Sequence, residues 1–178
     1  MEYPELPRLI ESGKTFEENA ILKALTVSRD RQAKDRHLLV VADDSGLEVD
    51  ALAGAPGIYS ARYAGEKATD QQNIDKLLRE LARQDMATSL KTARFRCAIA
   101  LAHDGKLLGT FEGRTEGTIV DPPRGRKGFG YDPIFRPDGF EPTFAELPSE
   151  IKNQISHRAL AVFKLVDYLN IARPLGQK

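Results

Sequence analysis

The chain has 178 residues, enough for one domain with its own core or for two closely joined lobes. Apolar residues make up 41% and charged residues 29%, which excludes a disordered or collagen-like chain, and no apolar stretch reaches the roughly 18 residues of a membrane span. Because 26 Lys and Arg residues balance 26 Asp and Glu residues, the charge balance argues against nucleic acid or an anionic membrane as a partner.

The first predicted helix covers residues 15 to about 31. Thr15-Phe16-Glu17-Glu18 has the pattern of a capping box, in which the side chains of the first and last residues bond to each other's backbone amides. Its predicted buried stripe is Ala20, Ile21, Ala24 and Val27. Asn19 and Lys23 lie four residues apart on a different face, where a polar pair is usually exposed to solvent.

The next predicted element is a strand at residues 38–42, followed by Asp43 and Asp44. Its continuous apolar run is typical of a strand covered on both sides, as in an α/β sheet, and ligands bind beyond the carboxyl ends of such strands. The two acids have two interpretations. They form a turn by bonding to their own backbone, or one faces a cleft and holds Mg²⁺ while the other braces the turn, since successive strand side chains point to opposite faces.

A second helix and a hairpin follow. Thr69 and Gln72 predict the start of the helix, and its buried face is Ile74, Leu77, Leu78 and Leu81. Residues 95–101 and 106–119 predict two strands joined by His103-Asp104-Gly105, because Asp-Gly favours a tight turn. The only cysteine, Cys97, lies in the apolar run 93–102 and is predicted to be a buried thiol with no catalytic role.

The loop Gly125-Arg126-Lys127-Gly128-Phe129-Gly130 has two interpretations. Its glycines let backbone amides approach an anion beside basic side chains, or it is a flexible surface loop. It is no Walker loop, since the GxxxxGK[ST] pattern does not occur in the chain. Phe129 is suited to stacking on a base and Asp132 to accepting from ring N–H groups, but Tyr131 and Phe135 are equally typical of a core and Asp132-Pro133 of a turn.

The last predicted helix is capped by Ser156, and its predicted core stripe is Ala159, Val162, Phe163 and Val166. Lys152, His157 and Arg158 bring potential positive charge to its N-terminus, where free amides favour anions. These residue types together indicate a nucleotide site. The acids would bind a metal, the glycines and cations would bind phosphate, and an aromatic ring would stack on a nucleobase.

Several ordered blocks between about residues 11 and 169 resemble the inosine triphosphate pyrophosphatase family, which removes non-canonical purine nucleoside triphosphates. The blocks are Asp43-Asp44-Ser45-Gly46-Leu47, Pro56-Gly57 with Ser60-Ala61-Arg62-Tyr63, Gly128-Phe129-Gly130-Tyr131-Asp132-Pro133-Ile134-Phe135, and Lys152 with Ser156-His157-Arg158. Glu18-Asn19-Ala20 with Lys23-Ala24 also fits.

The resemblance implies an α/β fold, with a mixed central sheet flanked by helices and two lobes with a cleft between them. It implies a single pyrophosphatase-like domain over residues 1–178, a homodimer and a cytoplasmic location. The implied reaction is the hydrolysis of ITP, dITP and XTP to the monophosphate and pyrophosphate with Mg²⁺ as cofactor.

The resemblance also implies roles for individual residues. Asp44 is the general base or metal-associated acid that activates water, and Glu11 is a second metal ligand. Phe129 stacks on the purine. The other implied substrate-binding residues are Ser45, Lys23, Gly130, Tyr131, Asp132, Lys152, His157 and Arg158. Of these, His157 and Arg158 contact the 6-oxo edge, and a pocket that donates to O6 rejects adenine because two donors would face each other.

Family members begin with a strand and a Thr-Gly-Asn-x-x-Lys loop that binds the triphosphate, and Met1 to Pro7 contain nothing similar. The sequence therefore predicts a domain that is N-terminally truncated relative to the family. Two alternatives follow: a catalytically impaired nucleotide-binding protein, and a pyrophosphatase of the Maf type that acts on modified pyrimidine nucleotides.

Overall fold

The computed structural model describes residues 11–30, 38–84 and 91–172, so the segment 1–7, on which the predicted truncation depends, lies outside the described residues. Four strands are β1 Leu39–Val49, β2 Thr92–His103, β3 Lys106–Ile119 and β4 Phe135–Pro137. Four α-helices are α1 Phe16–Ser28, α2 Asp70–Arg83, α3 Ser149–Ile155 and α4 His157–Ala172. Short 3₁₀-helices lie at Asp50–Leu52, Gly57–Arg62 and Asp132–Ile134.

The strands form one sheet in the order β1-β2-β3-β4, and each neighbouring pair is antiparallel. The predicted α/β class, with helices flanking a central sheet, is confirmed. The predicted mixed sheet differs from what is observed, because the described strands contain no parallel pair. The hairpin between β2 and β3 is confirmed, and its Asp104 and Gly105 have φ values of 48° and 76°.

The position predicted for the two acids is wrong. Asp43 and Asp44 lie in the middle of β1, opposite Ile99 and Ala98 of β2. The strand continues to Val49 because Leu47 and Val49 alternate into the core. Leu39 and Val41 are 54% and 51% exposed, so this apolar run is not covered on both sides.

Helices cover both faces of the sheet. On one face α1 packs against Ala98, Ala100 and Ala102, whose small side chains let the helix approach closely. On the other face Ala161 and Leu165 of α4 pack against Cys97, Ile99 and Leu101. The largest cluster lies on this second face, beyond α4, and joins α2 to the segment after β3; its members include Leu47, Val49, Ile74, Leu77, Leu81, Phe95, Tyr131, Ile134, Phe135 and Phe144.

The predicted buried face of α2 is confirmed at Ile74, Leu77 and Leu81, and the predicted start at Thr69 and Gln72 is confirmed, where the two residues form a capping box. The stripe predicted for α4 is wrong, since Val162, Phe163 and Val166 are 38%, 49% and 45% exposed. No helix of the described ranges has both the length and the apolar character needed to cross a bilayer.

The orientation of α4 is set by Gly113 of β3. A Cβ at Gly113 would collide with the carbonyl oxygen of His157 and the amide nitrogen of Ala161. The backbone of α4 therefore lies directly on β3, and its Ala161 side faces the sheet. Val162, Phe163 and Val166 are left partly exposed. Ser156 caps the helix as predicted, accepting from the amide of Ala159 at 3.3 Å.

Candidate functional site

The carboxylate of Asp44 is held by two side chains of α1. Lys23 Nζ donates to Asp44 Oδ1 at 2.7 Å, and Asn19 Nδ2 donates to Asp44 Oδ2 at 3.1 Å. Asn19 is completely buried, and Asp44 and Lys23 are largely buried. The prediction that Asn19 and Lys23 form a solvated pair is therefore wrong, and Asn19 is a site residue that sequence reasoning missed. The signal for it was its spacing of one helical turn from Lys23.

Lys23 also joins Asp44 to Glu11, because its Nζ lies 2.8 Å from Glu11 Oε1. Glu11 Oε2 accepts in turn from Arg62 Nη1 at 2.8 Å. The hydrogen bond from Lys23 lowers the pKa of Glu11, against the opposing effect of burial. Burial on its own would lower the pKa of Lys23, but the hydrogen bonds to Asp44 and Glu11 outweigh it and raise that pKa. Lys23 is therefore charged and lies between the carboxyl groups of Asp44 and Glu11.

Asp43 points to the opposite face of the sheet, where its partner is Arg158 of α4. Asp43 Oδ2 accepts from Arg158 Nε at 3.1 Å and from Nη2 at 2.9 Å, and Nη2 also donates to Ser45 Oγ at 3.0 Å. Cys97 lies beside this pair with its thiol buried as predicted, and burial, followed by the charge of Asp43, raises the pKa of that thiol to about 12. Such a thiol stays protonated at neutral pH.

Arg158 lines a hollow of about 450 Å³ together with Phe129, Lys152 and His157, so the structure brings these four predicted residues together. The ring of Phe129 is 55% exposed. Its centroid lies 5.2 Å from Lys152 Nζ and 5.3 Å from Arg158 Cζ. An exposed ring between two cations is suited to stacking on an electron-rich, planar group.

His157 forms part of the hollow's inner wall and is only 3% exposed. Its ring stacks on Phe95 with centroids 4.7 Å apart, and its Nδ1 is a buried atom without a hydrogen-bond partner. Burial, and then the charges of Arg158 and Lys152, lower the pKa of His157 to about 3. The imidazole is therefore neutral at physiological pH.

The loop that carries Phe129 is fixed by contacts with acidic side chains. Asp132 Oδ2 accepts from the Phe129 amide at 2.8 Å and forms an ion pair with Lys152. Gly128 has a φ of 80°, and a Cβ there would collide with the Asp132 carboxylate. The Gly130 amide donates to Asp70 Oδ2 of α2 at 2.7 Å.

Three residues predicted to contact the substrate, Gly130, Tyr131 and Asp132, are not among the residues that line this hollow. Tyr131 and Asp132 are almost fully buried. The Tyr131 hydroxyl donates to the Ser60 carbonyl at 2.9 Å, and the Asp132 carboxylate is engaged by Lys152 and Phe129. The two side chains thus support the Phe129 loop from inside the core and have no free surface for a base.

A second hollow, of about 650 Å³, lies on the α1 face of the sheet, and Glu11, Thr15, Tyr59 and Arg62 are among its lining residues. It shares no lining residue with the first hollow, and Asp44 lines neither. Asp44 and the residues around Phe129 therefore do not line one and the same of these two hollows. The reason is the alternation along β1, which sends Asp44 to the α1 face and Asp43 and Ser45 to the α4 face.

An exposed aromatic ring between cations, beside a strand whose neighbouring acids bind lysine and arginine, is typical of an α/β protein that processes nucleotides. Comparison with known proteins gives the family. The Ham1 family model matches residues 1–168, and the chain belongs to this family.

The relatives have closely similar sequences. A protein of Shouchella clausii named dITP/XTP pyrophosphatase is 53% identical over 164 residues, which are 92% of this chain and 79% of the relative. A Bacillus subtilis protein of the same name is 54% identical over 155 residues, 87% of this chain and 75% of the relative.

Solved structures agree with the fold. A HAM1 protein from Coxiella burnetii superposes with a TM-score of 0.85 at 42% identity, covering 94% of this chain and 82% of that one. The Staphylococcus aureus Ham1 protein gives a TM-score of 0.82 at 45% identity, with 93% and 82% covered.

Proposed function

We propose that this protein hydrolyses non-canonical purine nucleoside triphosphates, namely dITP, ITP and XTP, to the monophosphate and pyrophosphate. The observation that carries the proposal is the hollow in which Phe129, Lys152, His157 and Arg158 meet, next to the strand that bears Asp44. The names of the relatives, dITP/XTP pyrophosphatase, support the same reaction. The Ham1 family match favours it over a pyrophosphatase of the Maf type.

In this proposal the purine stacks on Phe129, and Arg158 and His157 face its 6-oxo edge. Asp43 and Ser45 fix the guanidinium of Arg158, so its N–H donors keep a defined direction. A donor directed at O6 favours hypoxanthine and xanthine. It disfavours adenine, because the 6-amino group of adenine would leave two donors facing each other in a desolvated site.

Asp44 is the general base that accepts the proton of the attacking water while the bond between the α- and β-phosphates breaks and pyrophosphate leaves. Lys23 supplies the positive charge that we assign to phosphate binding. Because the base hollow and Asp44 lie on opposite faces, the nucleotide would cross β1, the outer strand of the described sheet, near Asp43 and Ser45.

Asp44 and Glu11 are also the proposed ligands of Mg²⁺. Their oxygens converge on one cation already, since Lys23 Nζ lies 2.7 and 2.8 Å from them. The described residues contain no group of three or more His, Cys, Asp and Glu side chains that could hold a metal, so phosphate and water oxygens would complete the shell. When bound, the ion would neutralise charge that develops on the phosphates.

The direct test is pyrophosphate release from dITP, XTP and dATP in the presence of Mg²⁺, using the whole chain. We expect dITP and XTP to be hydrolysed well above dATP, and Asp44→Asn to lower kcat by at least about 100-fold while the protein remains folded, which circular dichroism checks. Persistent hydrolysis by Asp44→Asn would refute the assignment of Asp44. A rise in melting temperature with dITP, combined with background turnover in the wild type, would indicate the catalytically impaired alternative.

Arg158→Gln tests base selection separately. We expect this variant to lower the ratio of dITP to dATP hydrolysis more than it weakens binding of the phosphates. An unchanged ratio would exclude Arg158 from base recognition, and a preference for pyrimidine nucleotides in the wild type would favour the Maf-type reaction.

We also propose that the protein is a cytoplasmic homodimer. The outward side of α4 away from the base hollow supports the homodimer, because Val166 and Ile171 are apolar and exposed. Light scattering over a range of protein concentrations measures the oligomeric state, and a strictly monomeric protein would contradict the proposal.

A further inference from the structure

We propose that Asn19 is a positioning residue that sets the orientation of the Asp44 carboxylate, an inference that rests on the proposed role of Asp44 as general base. The Asn19 amide lies between two groups that must be aligned. Its Nδ2 donates to Asp44 Oδ2 at 3.1 Å, and its Oδ1 accepts from the Gly13 amide at 2.8 Å.

These two bonds allow only one orientation of the amide. The Gly13 N–H requires an acceptor and the Asp44 carboxylate requires a donor, so rotating the amide by half a turn would break both contacts. Asn19 is completely buried, and water does not compete for either bond. The planar amide therefore constrains the direction of the Asp44 carboxylate.

Lys23 does not provide the same constraint. Its ammonium group is a compact charge with three equivalent donors on a flexible stem, and it is shared among Asp44, Glu11 and the Asp43 carbonyl. We infer that Lys23 supplies charge at Asp44 Oδ1, whereas Asn19 fixes the plane of the carboxylate through Oδ2.

Asn19 also connects the two acids. Gly13 follows Glu11 by two residues, so the bond to the Gly13 amide fixes the chain that carries Glu11 relative to Asp44. A Cβ on Gly13 would lie 2.7 Å from Asn19 Oδ1, so the chain approaches the amide as closely as glycine permits.

The inference predicts an effect on the chemical step and little effect on binding of the nucleobase. Phe129, Arg158 and the rest of the base hollow lie on the other face of the sheet, and Asn19 does not line that hollow. When the Asp44 carboxylate is misdirected, the rate of water attack falls, because general-base catalysis depends on angle and distance. The contacts that Phe129 and Arg158 make with the nucleobase are left unchanged.

Asn19→Asp tests the inference directly. An aspartate keeps an acceptor for the Gly13 amide but faces Asp44 with a second acceptor. We expect kcat for dITP to fall by about 10- to 100-fold while KM stays within about threefold of the wild type. The affinity for the product dIMP, measured by calorimetry, should also stay within that range, which provides a readout that does not require turnover.

Asn73 of α2 offers a matched control. It is also a buried asparagine that holds a loop, since its Oδ1 accepts from the Ala64 amide at 2.7 Å and its Nδ2 donates to the Ala61 carbonyl at 3.2 Å. Both Asn→Asp variants should lower the melting temperature, by about 2–4 °C for each kcal/mol lost, because each leaves a buried acceptor without its donor. Only Asn19→Asp should lower kcat.

The double variant Asn19→Asp/Asp44→Asn exchanges donor and acceptor across the same contact. We expect it to recover most of the melting temperature lost by Asn19→Asp while remaining inactive, because the base is missing. Should Asn19→Asp not fold, Asn19→Ala compared with Asn73→Ala gives the same test without an added charge.

A wild-type kcat in Asn19→Asp, or an equal loss in Asn73→Asp, would overturn the inference while the proposed function stands. No melting-temperature recovery in the double variant would refute the contact itself. Failure of the proposed function gives a different result, since the wild type would then release no pyrophosphate from dITP or Asp44→Asn would remain active, and the inference would fall with it.

Discussion

Asp43 and Asp44 are chemically identical neighbours that β1 sends to opposite faces, and their partners give them different roles. Asp44 is largely buried and bound to Lys23 and Asn19, whereas Asp43 is more exposed and holds Arg158. An exposed ion pair contributes little to stability, because water and salt screen it. The Asp43–Arg158 pair therefore matters chiefly for the direction in which the guanidinium points.

The residue types of the site were predictable, because few side chains can bind phosphate or a nucleobase. The predicted residues Phe129, Lys152, His157 and Arg158 do meet in one hollow. The buried supports were not predictable in the same way. Tyr131 and Asp132 have the same polar groups as residues that contact a base, and only the contacts to Ser60 and Lys152 reveal that they face the core.

At the residue scale, Phe129→Ala should separate binding from stability. The ring is more than half exposed, so its loss should change the free energy of unfolding by less than about 0.5 kcal/mol. Stacking on a base contributes about 1–3 kcal/mol, so KM for dITP should rise by about 5- to 150-fold. Steady-state kinetics and urea unfolding measure the two quantities.

Phe163 provides a matched comparison, because it lines the same hollow from α4 and is similarly exposed. Phe163→Ala should change KM much less, since no cation contact to its ring is found in the described residues. Equal effects of the two substitutions would contradict base stacking on Phe129.

At the element scale, the local sequence pattern is sufficient to predict an element when the residues of that element alone determine which of its faces is buried. The capping box and apolar spacing of α2, and the Asp104-Gly105 turn, specify their elements without help from elsewhere. The side of α4 that faces the sheet is decided by Gly113, a residue of β3 that lies more than 40 positions earlier. No pattern within α4 contains that information.

Gly113→Ala should therefore displace α4. The added Cβ meets backbone atoms of His157 and Ala161, which have no flexible end to move aside. Overpacking of this kind costs about 1–3 kcal/mol, and the free energy of unfolding in urea should fall by that amount. KM for dITP should rise as well, since α4 begins with His157 and Arg158.

Gly109 of the same strand is the control. A Cβ at Gly109 lies 3.2 Å from the outer end of the Phe111 ring, a side chain that can shift by a few tenths of an ångström. Gly109→Ala should change the free energy of unfolding by less than about 1 kcal/mol and leave KM unaltered. If both substitutions had the same effect, contact with α4 would not be the cause.

At the scale of the whole molecule, the sheet determines how the parts of the site are arranged. Adjacent acids suggested a strand end and one shared cleft, but the strand continues past them because Leu47 and Val49 pair with Phe95 and Ala93 in the core. Pairing between positions about 45 residues apart depends on packing that a local apolar pattern does not encode. The separation of the two hollows follows from this register.

The pH dependence of folding stability reports on the burial of His157. Its pKa is about 3 in the folded protein and about 6.5 in an unfolded chain. Between these values the unfolded state binds a proton that the folded state does not bind. The free energy of unfolding should therefore decrease as the pH falls from about 6.5 towards 3, by about 1.4 kcal/mol per pH unit from this residue.

His157→Gln removes that proton uptake and isolates its contribution. Glu11 has a lowered pKa and also loses its stabilising contribution as pH falls, but it is present in both proteins and cancels in the comparison. Between pH 4 and 6 the stability of His157→Gln should decline less steeply than that of the wild type, by about 1.4 kcal/mol per unit. Urea unfolding at a series of pH values measures both slopes. Equal slopes would mean that His157 is protonated in the folded state, and the neutral imidazole assigned to the base hollow would then be wrong.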